Sequence, residues 1–370
     1  MLYNTKKKIQ LLFKKFGYGL FKLIYGKIKD FEAAKDNSSS QVKLSKINNS
    51  YKYQVYFTNN SRLYTDTIND TAIIQNNKIL QGPSFQIRNT KFENIKENIV
   101  FEKGTPRLKK KFKGKVLSLL TGGAGNRNYF HWLFDVLPRI EIVKNIINLN
   151  DIDFFLIPNL SYKFQRETLD LINIPSNKRI SSLKNRHIEC DQIIVSDHPY
   201  VIKNNASKEI QDIPIWILSW LRKTLSKDIN LKDNNFPDKV YLDRSDASPN
   251  IKKLRKIINE EEVVAELKEK NFKIIQLSNY SFLDQMKIFY NVKTLVGLHG
   301  AGFANVIFSQ KDLRVLEIKP IGAAKMIENL VKKCEVNYNS MSITPEQHHS
   351  DNQMGHVRVD INELKEKLNK

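Results

Sequence analysis

Short apolar runs alternate with helix-like stretches along most of the chain from Lys115 onward, and this alternation is the strongest constraint on the fold. Strands and helices in regular succession predict parallel sheets with helices on both faces. A polar stretch that ends in proline, residues 228–237, divides the alternation into two blocks. The predicted strands are 116–120, 154–157, 180–183, 192–196, 239–242, 273–277, 294–296 and 315–318. The predicted helices are 129–147, 164–172, 213–227, 251–267 (in which the pattern allows a break), 282–290, 301–308 and 323–332.

We therefore predict an α/β fold in which two Rossmann-like domains face each other across a central cleft. Ligands of such sheets bind beyond the carboxyl ends of the strands. Short β-like runs between turn residues predict a β-rich N-terminal portion as well. The predicted organisation is a basic amphipathic helix at 1–30, a polar linker at 31–50, an N-terminal domain at 51–235 (β-rich over 51–112, α/β over 115–227), a C-terminal domain at 238–345 and a tail at 346–370.

Composition limits the classes of partner. Lys and Arg outnumber Asp and Glu by 60 to 39, and the resulting formal charge of +21 favours anionic partners such as nucleotides or lipid head groups. A solvated lysine-rich surface is the simpler interpretation of the scattered lysine pairs. The sequence has no zinc-finger spacing, homeodomain-like helix or RNP pattern, so nucleic acid is not predicted as a partner. Cys190 and Cys334 lie far apart, which does not indicate a disulfide framework and fits a reducing compartment.

The first 25 residues mix bulky apolar side chains with lysines. Lys14, Lys15 and Lys22 interrupt the apolar run, so neither a membrane-spanning helix nor a signal peptide is predicted. The mixture is typical of a helix that lies on an anionic membrane leaflet. The alternative is an amphipathic helix packed on the protein's own surface.

Residues 296–308 contain a glycine-rich loop at the point where a predicted strand is followed by a predicted helix. Gly297, Gly300 and Gly302 allow close approach to the backbone, and free N–H groups at a helix start attract anions. His299 adds a donor that can become cationic near neutral pH. The loop is a candidate cradle for a diphosphate, unless its glycines serve only the turn.

A second motif places His131, Asp135 and Arg139 four residues apart, on one face of a helix. An imidazole next to a carboxylate can accept a proton from an alcohol. Pro138 is expected to kink or restart the helix, which leaves the direction of Arg139 open. The alternative is a core histidine with an ion pair.

Two charged residues, Arg244 and Glu317, lie just after and within predicted strands, respectively. Arg244 follows the strand 239–242, where a guanidinium can hold phosphate oxygens in a bidentate manner. Glu317 lies inside an apolar strand, and a buried carboxylate needs a partner such as a ribose hydroxyl or a basic neighbour.

Together these segments resemble the glycosyltransferase 61 family of capsular polysaccharide biosynthesis enzymes. The resemblance covers about residues 115–320 and rests on motifs that keep the family's order. They are Asn128-Tyr129-Phe130-His131-Trp132-Leu133-Phe134-Asp135-Val136-Leu137-Pro138-Arg139, Tyr241-Leu242-Asp243-Arg244, Ile258-Asn259-Glu260, Gly297-Leu298-His299-Gly300-Ala301-Gly302-Phe303-Ala304-Asn305 and Val315-Leu316-Glu317-Ile318.

The resemblance implies a GT-B-like fold and transfer of a sugar, with inversion, from a nucleotide-sugar donor bound in the C-terminal domain. Asp135 is the expected base, with His131 orienting it, although the residues alone leave the reverse assignment open. Positive charge from Arg244 and the loop makes a metal unnecessary, so no cofactor is expected. The implied donor-site residues are Arg244, His299, Gly300, Ala301, Gly302, Asn305 and Glu317, and further candidates are Asn128, Arg139, Arg255, Asn259 and Glu260.

One departure from the family pattern concerns basic residues. The family often has a compact basic cluster soon after the Tyr-x-x-Arg element, whereas here residues 245–249 intervene before Lys252, Lys253 and Arg255. Asp151-Ile152-Asp153 spells the Asp-x-Asp signature that holds Mn²⁺ in other glycosyltransferases. It precedes a strand at the end away from the expected site, so we interpret it as a loop-to-strand junction.

The expected acceptor is a glycan or lipid-linked glycan, and the expected location is the cytoplasmic side, peripheral at the inner face of the cell membrane. Two alternatives stay open from sequence alone. A non-catalytic module of a capsule assembly would bind nucleotide or phosphoglycan without turnover. An epimerase would convert a nucleotide sugar without any acceptor.

Overall fold

A computed structural model describes residues 2–66, 70–88, 90–122, 127–233, 235–246, 254–346 and 355–369. The chain forms two compact units. The first comprises Met1–Gln165 and Asn173–Glu209, and the second comprises Arg166–Ile172 and Ile210–Lys370. The predicted boundary lay some 25 residues later, in the polar stretch 228–237.

The first unit is built on one mixed sheet. Its order is β1-β5-β4-β3-β11-β8-β9-β10, with β2 paired to β3 and β6 paired to β4 and β7. The strands are β1 (Asp30–Ala33), β2 (Ser40–Ile47), β3 (Tyr51–Thr65), β4 (Asp70–Gln75), β5 (Lys78–Gln81), β6 (Phe85–Arg88), β7 (Lys91–Phe92), β8 (Lys110–Ser118), β9 (Phe154–Ile157), β10 (Arg179–Ser181) and β11 (His187–Ser196).

The β-rich and α/β segments that we predicted within the N-terminal domain share this sheet. Strands β11, β8, β9 and β10 pair in parallel, as strand–helix alternation requires. Strand β3 pairs antiparallel to β11 and joins the β-rich segment to the parallel part. The helices of this unit are α1 (Leu2–Tyr25), α2 (Ile99–Lys103), α3 (Tyr129–His131), α4 (Pro138–Lys144), α5 (Lys163–Leu171, which continues into the second unit) and α6 (Ala206–Glu209). Short 3₁₀ turns lie at Ile95–Glu97, Leu149–Asp151 and Ser176–Lys178.

The prediction of a polar linker at 31–50 is wrong, because β1 and β2 occupy most of it. Strand β2 pairs antiparallel with β3 along its whole length, from Ser40 opposite Thr58 to Ile47 opposite Tyr51. Ser40, Ser45 and Ile47 of this strand are buried, and most of its other side chains are exposed. The asparagines at 48 and 49 adopt positive φ in the hairpin turn. The polar composition therefore marked a hairpin and a half-exposed strand.

Helix α1 is present as predicted, and many of its large apolar side chains face outward. Phe16 is 75% exposed and Leu23 is 86% exposed. The last turn is fixed to the first unit, since the Tyr25 carbonyl accepts from Arg62 (2.9 Å) and the Tyr25 hydroxyl accepts from the Lys109 N–H (3.0 Å). Within the described ranges, every helix is too short or too polar to cross a membrane.

The second unit contains a fully parallel five-stranded sheet in the order β13-β12-β14-β15-β16. Its strands are β12 (Lys239–Leu242), β13 (Lys273–Ile275), β14 (Thr294–Leu298), β15 (Arg314–Pro320) and β16 (Asn337–Ile343). Every residue of the central strand β14 is buried, as expected for a strand covered on both faces. The helices are α7 (Ile215–Leu225), α8 (Glu260–Glu269), α9 (Phe282–Asn291), α10 (Met326–Lys333) and α11 (Ile361–Asn369), with 3₁₀ segments at Ile210–Asp212, Leu277–Asn279 and Ala301–Phe308.

The helix predicted over 251–267 contains the break that the sequence allowed. Leu254 is helical, Ile257 forms a β-bridge with Val357, and α8 begins at Glu260. Residues 251–253 lie outside the described ranges. The predicted tail at 346–370 includes part of the core, since Val357, Val359 and Leu364 are buried among the side chains of this sheet. Sequence alternation missed these residues because it predicted no strand after residue 318.

Candidate active site

The first candidate cluster begins at Asn128, which starts the helical segment after β8. Its side-chain oxygen accepts from the backbone N–H of Phe130 (2.9 Å) and more weakly from that of His131 (3.4 Å). Asn is a favoured residue at this position, because its oxygen satisfies N–H groups that lack partners in the first helical turn. Asn128 therefore has a structural role in fixing where the helix starts.

The helix then widens into a π turn at Trp132–Val136, between α3 and α4. The Leu137 N–H donates to the Trp132 carbonyl, five residues back (3.2 Å). Proline has no N–H, and its ring collides with the carbonyl four residues earlier in a regular helix, so Pro138 favours this wider turn and then starts α4. As predicted, the helix restarts at Pro138.

Asp135 lies within the π turn and is the centre of the cluster. It is only 4% exposed. His131 Nδ1 is 2.8 Å from Asp135 Oδ2, and the Tyr200 hydroxyl donates to Oδ1 (2.6 Å). His198 Nε2 lies 3.7 Å from Oδ2. Each oxygen of the carboxylate thus faces a donor.

The protonation states follow from these contacts. His198 Nδ1 accepts from the backbone N–H groups of Tyr200 (3.3 Å) and Val201 (3.0 Å), so its proton is on Nε2, toward Asp135. Because Asp135 accepts from its neighbours, His131 carries its proton on Nδ1. His131 Nε2 is then the basic atom, and among the described residues it forms no hydrogen bond. The His131 side chain is 22% exposed.

Charge fixes the pKa values of this pair in opposite directions. Burial alone raises the pKa of Asp135, but His131 and His198 outweigh it and hold that pKa well below its ordinary value. Burial alone lowers the pKa of His131, but Asp135 outweighs it and holds that pKa above 6.5. Burial lowers the pKa of His198, which therefore stays neutral.

Sequence reasoning missed His198 and Tyr200. Both follow β11, whose parallel neighbour β8 precedes the His131 helix. The carboxyl ends of adjacent parallel strands meet at one sheet edge, so residues after β11 belong beside residues after β8. Applying that rule to the His-Pro-Tyr run at 198–200 would have found them.

Arg139 is fully buried and is held by backbone groups. Its Nε donates to the Asp135 carbonyl (3.2 Å), its Nη1 donates to the Ser196 carbonyl (3.0 Å), and its guanidinium lies 4.9 Å from the centre of the Phe85 ring. Burial lowers its pKa to about 10. Arg139 therefore ties α4 to the end of β11.

The second candidate cluster lies where the strand order of the parallel sheet reverses. Strand β13 follows β12 on one side, whereas β14, β15 and β16 continue on the other, so the switch point falls between β12 and β14. Open α/β sheets bind ligands beyond the strand ends at this point. Arg244 follows β12 and His299 follows β14, and Arg244 Nη1 donates to the His299 carbonyl (2.6 Å).

The loop glycines make room for protein side chains. A Cβ on Gly300 would lie 3.1 Å from Arg244 Cζ and Nε, and one on Gly302 would lie 2.9 Å from Leu277 Cδ1. A Cβ on Gly297 would lie 3.1 Å from Leu242 Cβ, across the β12–β14 pair. Gly300 thus lets the guanidinium lie against the loop, while Gly297 and Gly302 serve packing. Ala301 begins the 3₁₀ segment and is partly exposed.

Glu317 belongs to a buried network behind this loop. His299 Nδ1 is hydrogen-bonded to Glu317 Oε1, and the Tyr338 hydroxyl donates to Glu317 Oε2 (2.5 Å). Lys319 Nζ donates to the Tyr338 hydroxyl (2.9 Å) and lies 3.7 Å from Glu317 Oε2. The sequence suggested either a ribose hydroxyl or a basic neighbour as the partner of a buried Glu317, and basic neighbours are present in the structure, His299 and Lys319.

The remaining candidates lie in several places. Asn305 is fully buried and donates to Gln285 Oε1 (3.1 Å). Asn259 binds both the carbonyl and the N–H of Val359 (2.9 Å each), so it fixes residues near the end of the chain. Glu260 accepts from the Tyr241 hydroxyl (2.8 Å). Arg255 lowers the pKa of His299 through its charge, which places it near the loop. Lys252 and Lys253 lie outside the described residues.

The Asp-x-Asp sequence lies at the amino end of β9, as predicted. Asp153 Oδ2 accepts from the Lys115 N–H (2.7 Å), which joins the start of β9 to β8. In the described ranges, no group of three His, Cys, Asp or Glu side chains is placed to hold a metal ion.

Comparison with known proteins identifies the family of this chain. Residues 129–316, just over half of the chain, match the family model described as "Glycosyltransferase 61". The chain belongs to the glycosyltransferase 61 family, and it is therefore a glycosyltransferase.

A curated relative is the EGF domain-specific O-linked N-acetylglucosamine transferase of Bos taurus. It is 32% identical over 89 residues, which are 23% of this chain and 17% of the relative. The similarity thus covers a small part of the relative's length.

Proposed function

We propose that this enzyme transfers a sugar, with inversion, from a nucleotide-sugar donor to a hydroxyl of a glycan acceptor. The observation that carries the proposal is the buried Asp135 carboxylate bonded to a partly exposed His131, in a family whose members transfer sugars. A direct displacement at the anomeric carbon needs one base and no covalent intermediate.

His131 is the proposed base, which reverses the roles expected from sequence. Asp135 is almost inaccessible, and each of its oxygens faces a donor, whereas His131 Nε2 carries the lone pair. Asp135 fixes the tautomer of His131 and stabilises the imidazolium that forms when the acceptor hydroxyl loses its proton. Tyr200 and His198 hold Asp135 in its ionised state.

Arg244 and His299 are the proposed donor-site residues, with Gly300 and Arg255 beside them. Two observations support this donor site: these residues lie at the switch point of a parallel sheet, and the two arginines are positively charged. Such charge stabilises a departing diphosphate without a metal. The buried side chains of Asn305 and Glu317 support the loop from behind, and a GT-B-like arrangement of the two units stays a prediction.

N-acetylglucosamine is the first sugar to test, because the Bos taurus relative is named for its transfer. For the acceptor we keep a lipid-linked or polyanionic glycan of a capsule or another cell-surface polysaccharide. The net charge of +21 supports it.

A thermal-shift panel of nucleotide sugars tests the donor site. A cognate donor at 100 times its Kd adds about 2.7 kcal/mol to the free energy of unfolding. Arg244→Ala should abolish the shift. Arg314→Ala is the matched control, because Arg314 is exposed at the amino end of β15, at the opposite edge of the sheet. If Arg244→Ala keeps the full shift, the donor site lies elsewhere.

Helix α1 supports attachment to the inner face of an anionic membrane. Exposed Leu and Phe side chains next to lysines match the composition of helices that lie in the lipid interface. Co-sedimentation with vesicles containing phosphatidylglycerol should fall when Leu12 and Phe16 are both changed to Ser. Leu108→Ser is the control, because Leu108 is 77% exposed outside α1. Equal binding by all three proteins would remove α1 from the proposal.

A further inference from the structure

His299 is a buried imidazole between an anion and two cations. Its residue is 2% exposed, Glu317 bonds its Nδ1, and the charges of Arg255 and Arg244 act on it from the other elements around the loop. In the described part of the chain, its Nε2 forms no hydrogen bond. The ring therefore has one atom with a fixed partner and one basic position without any.

The contacts of Glu317 decide which nitrogen of His299 carries the proton. Glu317 is fully buried and accepts from the Tyr338 hydroxyl, while the Lys319 ammonium lies 3.7 Å from the same oxygen. The other carboxylate oxygen is bonded to His299 Nδ1, and a carboxylate oxygen accepts in that bond. The proton of a neutral His299 is therefore on Nδ1, and Nε2 keeps a lone pair.

Neutral is the state expected of His299 before the donor binds. Burial lowers its pKa, Arg255 and Arg244 lower it further, and Glu317 only partly opposes them. A lone pair on Nε2 repels phosphate oxygens, whereas a proton there would donate to them. An arriving diphosphate also offsets the charge of the two arginines, which removes part of the cause of the low pKa.

We infer that the donor's diphosphate binds together with one proton, which His299 Nε2 takes from solvent. The resulting imidazolium lies between Glu317 and the phosphate oxygens, and Tyr338 and Lys319 are positioning residues that hold the Glu317 carboxylate in place. No bond of the donor changes in this step, and the proton returns to solvent when the nucleotide leaves. The inference rests on the donor site proposed above.

The proton can be counted by isothermal titration calorimetry. The titrant is the nucleotide sugar selected by the thermal-shift panel, beginning with UDP-N-acetylglucosamine. Its diphosphate is esterified at both ends, so it lacks the phosphate ionisation near pH 6 that a monoester has. Titrations at pH 7 in buffers of different ionisation enthalpy give the number of protons taken up. We expect a large fraction of one proton for the natural protein and none for His299→Asn.

The affinity should also change with pH. Between the pKa of His299 in the free protein and its higher value in the complex, each unit of rising pH weakens binding by up to tenfold. The same titrations with His299→Asn should show a flat profile over that range.

Glu317→Gln separates this inference from simple charge repulsion. Removing a negative charge near a diphosphate should tighten binding if His299 does not titrate. If Glu317 supports the imidazolium, the same change should weaken binding about tenfold and abolish proton uptake. Circular dichroism and the melting temperature establish that the variant is folded, and His299→Asn provides a second test if it is not.

The possible failures differ from each other. Binding of the nucleotide sugar without proton uptake, or tighter binding by Glu317→Gln, overturns the inference and leaves the donor site standing. If no nucleotide sugar binds, the proposed function fails, and the inference fails with it.

Discussion

Asp135→Asn is the substitution that tests the proposed chemistry most directly. The amide is neutral, so His131 loses the charge that holds its pKa above 6.5, and burial then lowers that pKa. An amide oxygen also serves only one of the two donors that Asp135 serves now, His131 Nδ1 at 2.8 Å and the Tyr200 hydroxyl at 2.6 Å. If the amide NH₂ faces His131, the proton of the ring moves to Nε2, the atom that must accept.

The magnitude follows from these losses. Loss of general-base catalysis costs about 10²–10⁴ in rate, and a fixed wrong tautomer belongs at the upper end of that range. We expect kcat to fall about 10³-fold or more, which corresponds to about 4 kcal/mol in activation free energy. Because the transfer step changes and donor binding does not, the thermal shift with nucleotide sugar should persist.

The assay is kcat against pH with the donor and acceptor that the natural protein turns over. Activity of the natural protein should rise as pH rises through the pKa of His131, since the neutral ring is the base, and in Asp135→Asn that rise should move to lower pH. The matched control is Asp153→Asn, whose carboxylate binds only backbone in the contacts described above. Retention of more than about a third of kcat by Asp135→Asn would refute the His131–Asp135 mechanism.

Three further predictions concern metal, the loop and acid stability. EDTA should leave turnover unchanged, and loss of activity that Mn²⁺ restores would contradict a donor site built on arginine charge. Gly300→Ala should weaken nucleotide binding about tenfold in calorimetry by displacing Arg244, whereas Gly19→Ala, where a Cβ meets nothing within 4 Å, should have no effect. Burial lowers the pKa of His187 to about 4, so the unfolded chain takes up the proton first, and stability should fall by up to about 3 kcal/mol as pH falls from 6.5 to 4. Urea unfolding of His187→Asn should lack that component of the pH dependence, and identical profiles would place it in other groups.

Much of the second unit could be predicted because its signals are local. Strand β12 was predicted at its observed bounds, and Arg244 and His299 follow strands whose parallel ends meet at one edge. For Glu317 the sequence left two partners, a ribose hydroxyl or a basic neighbour. It did not reveal Tyr338, because strand β16, on which Tyr338 lies, was not predicted. A hydrogen bond between side chains of neighbouring strands depends on their pairing register, and the sequence of one strand does not determine that register.

Contacts between residues distant in sequence also explain what could not be predicted in the first unit. The spacing of His131 and Asp135 predicted their contact, because residues four apart meet on a helix. It did not predict which of the two is accessible, since Tyr200 approaches Asp135 from 65 residues away. The polar segment 31–50 was predicted as a linker for a related reason. Its strand β2 is stabilised by hydrogen bonds to β3 across a tight turn, and amino-acid composition does not reveal such pairing.

The two hydrogen bonds between Asn259 and Val359 affect the order in which the protein folds during its synthesis. The two residues are 100 positions apart, so at about 5–20 residues per second the ribosome delivers the second partner roughly 5–20 s after the first. During that interval the face of the sheet that Val357, Val359 and Leu364 will cover is open to water. Nascent chains in this interval are the ones on which a chaperone would act, and their release would coincide with completion of the hydrophobic core of the second unit.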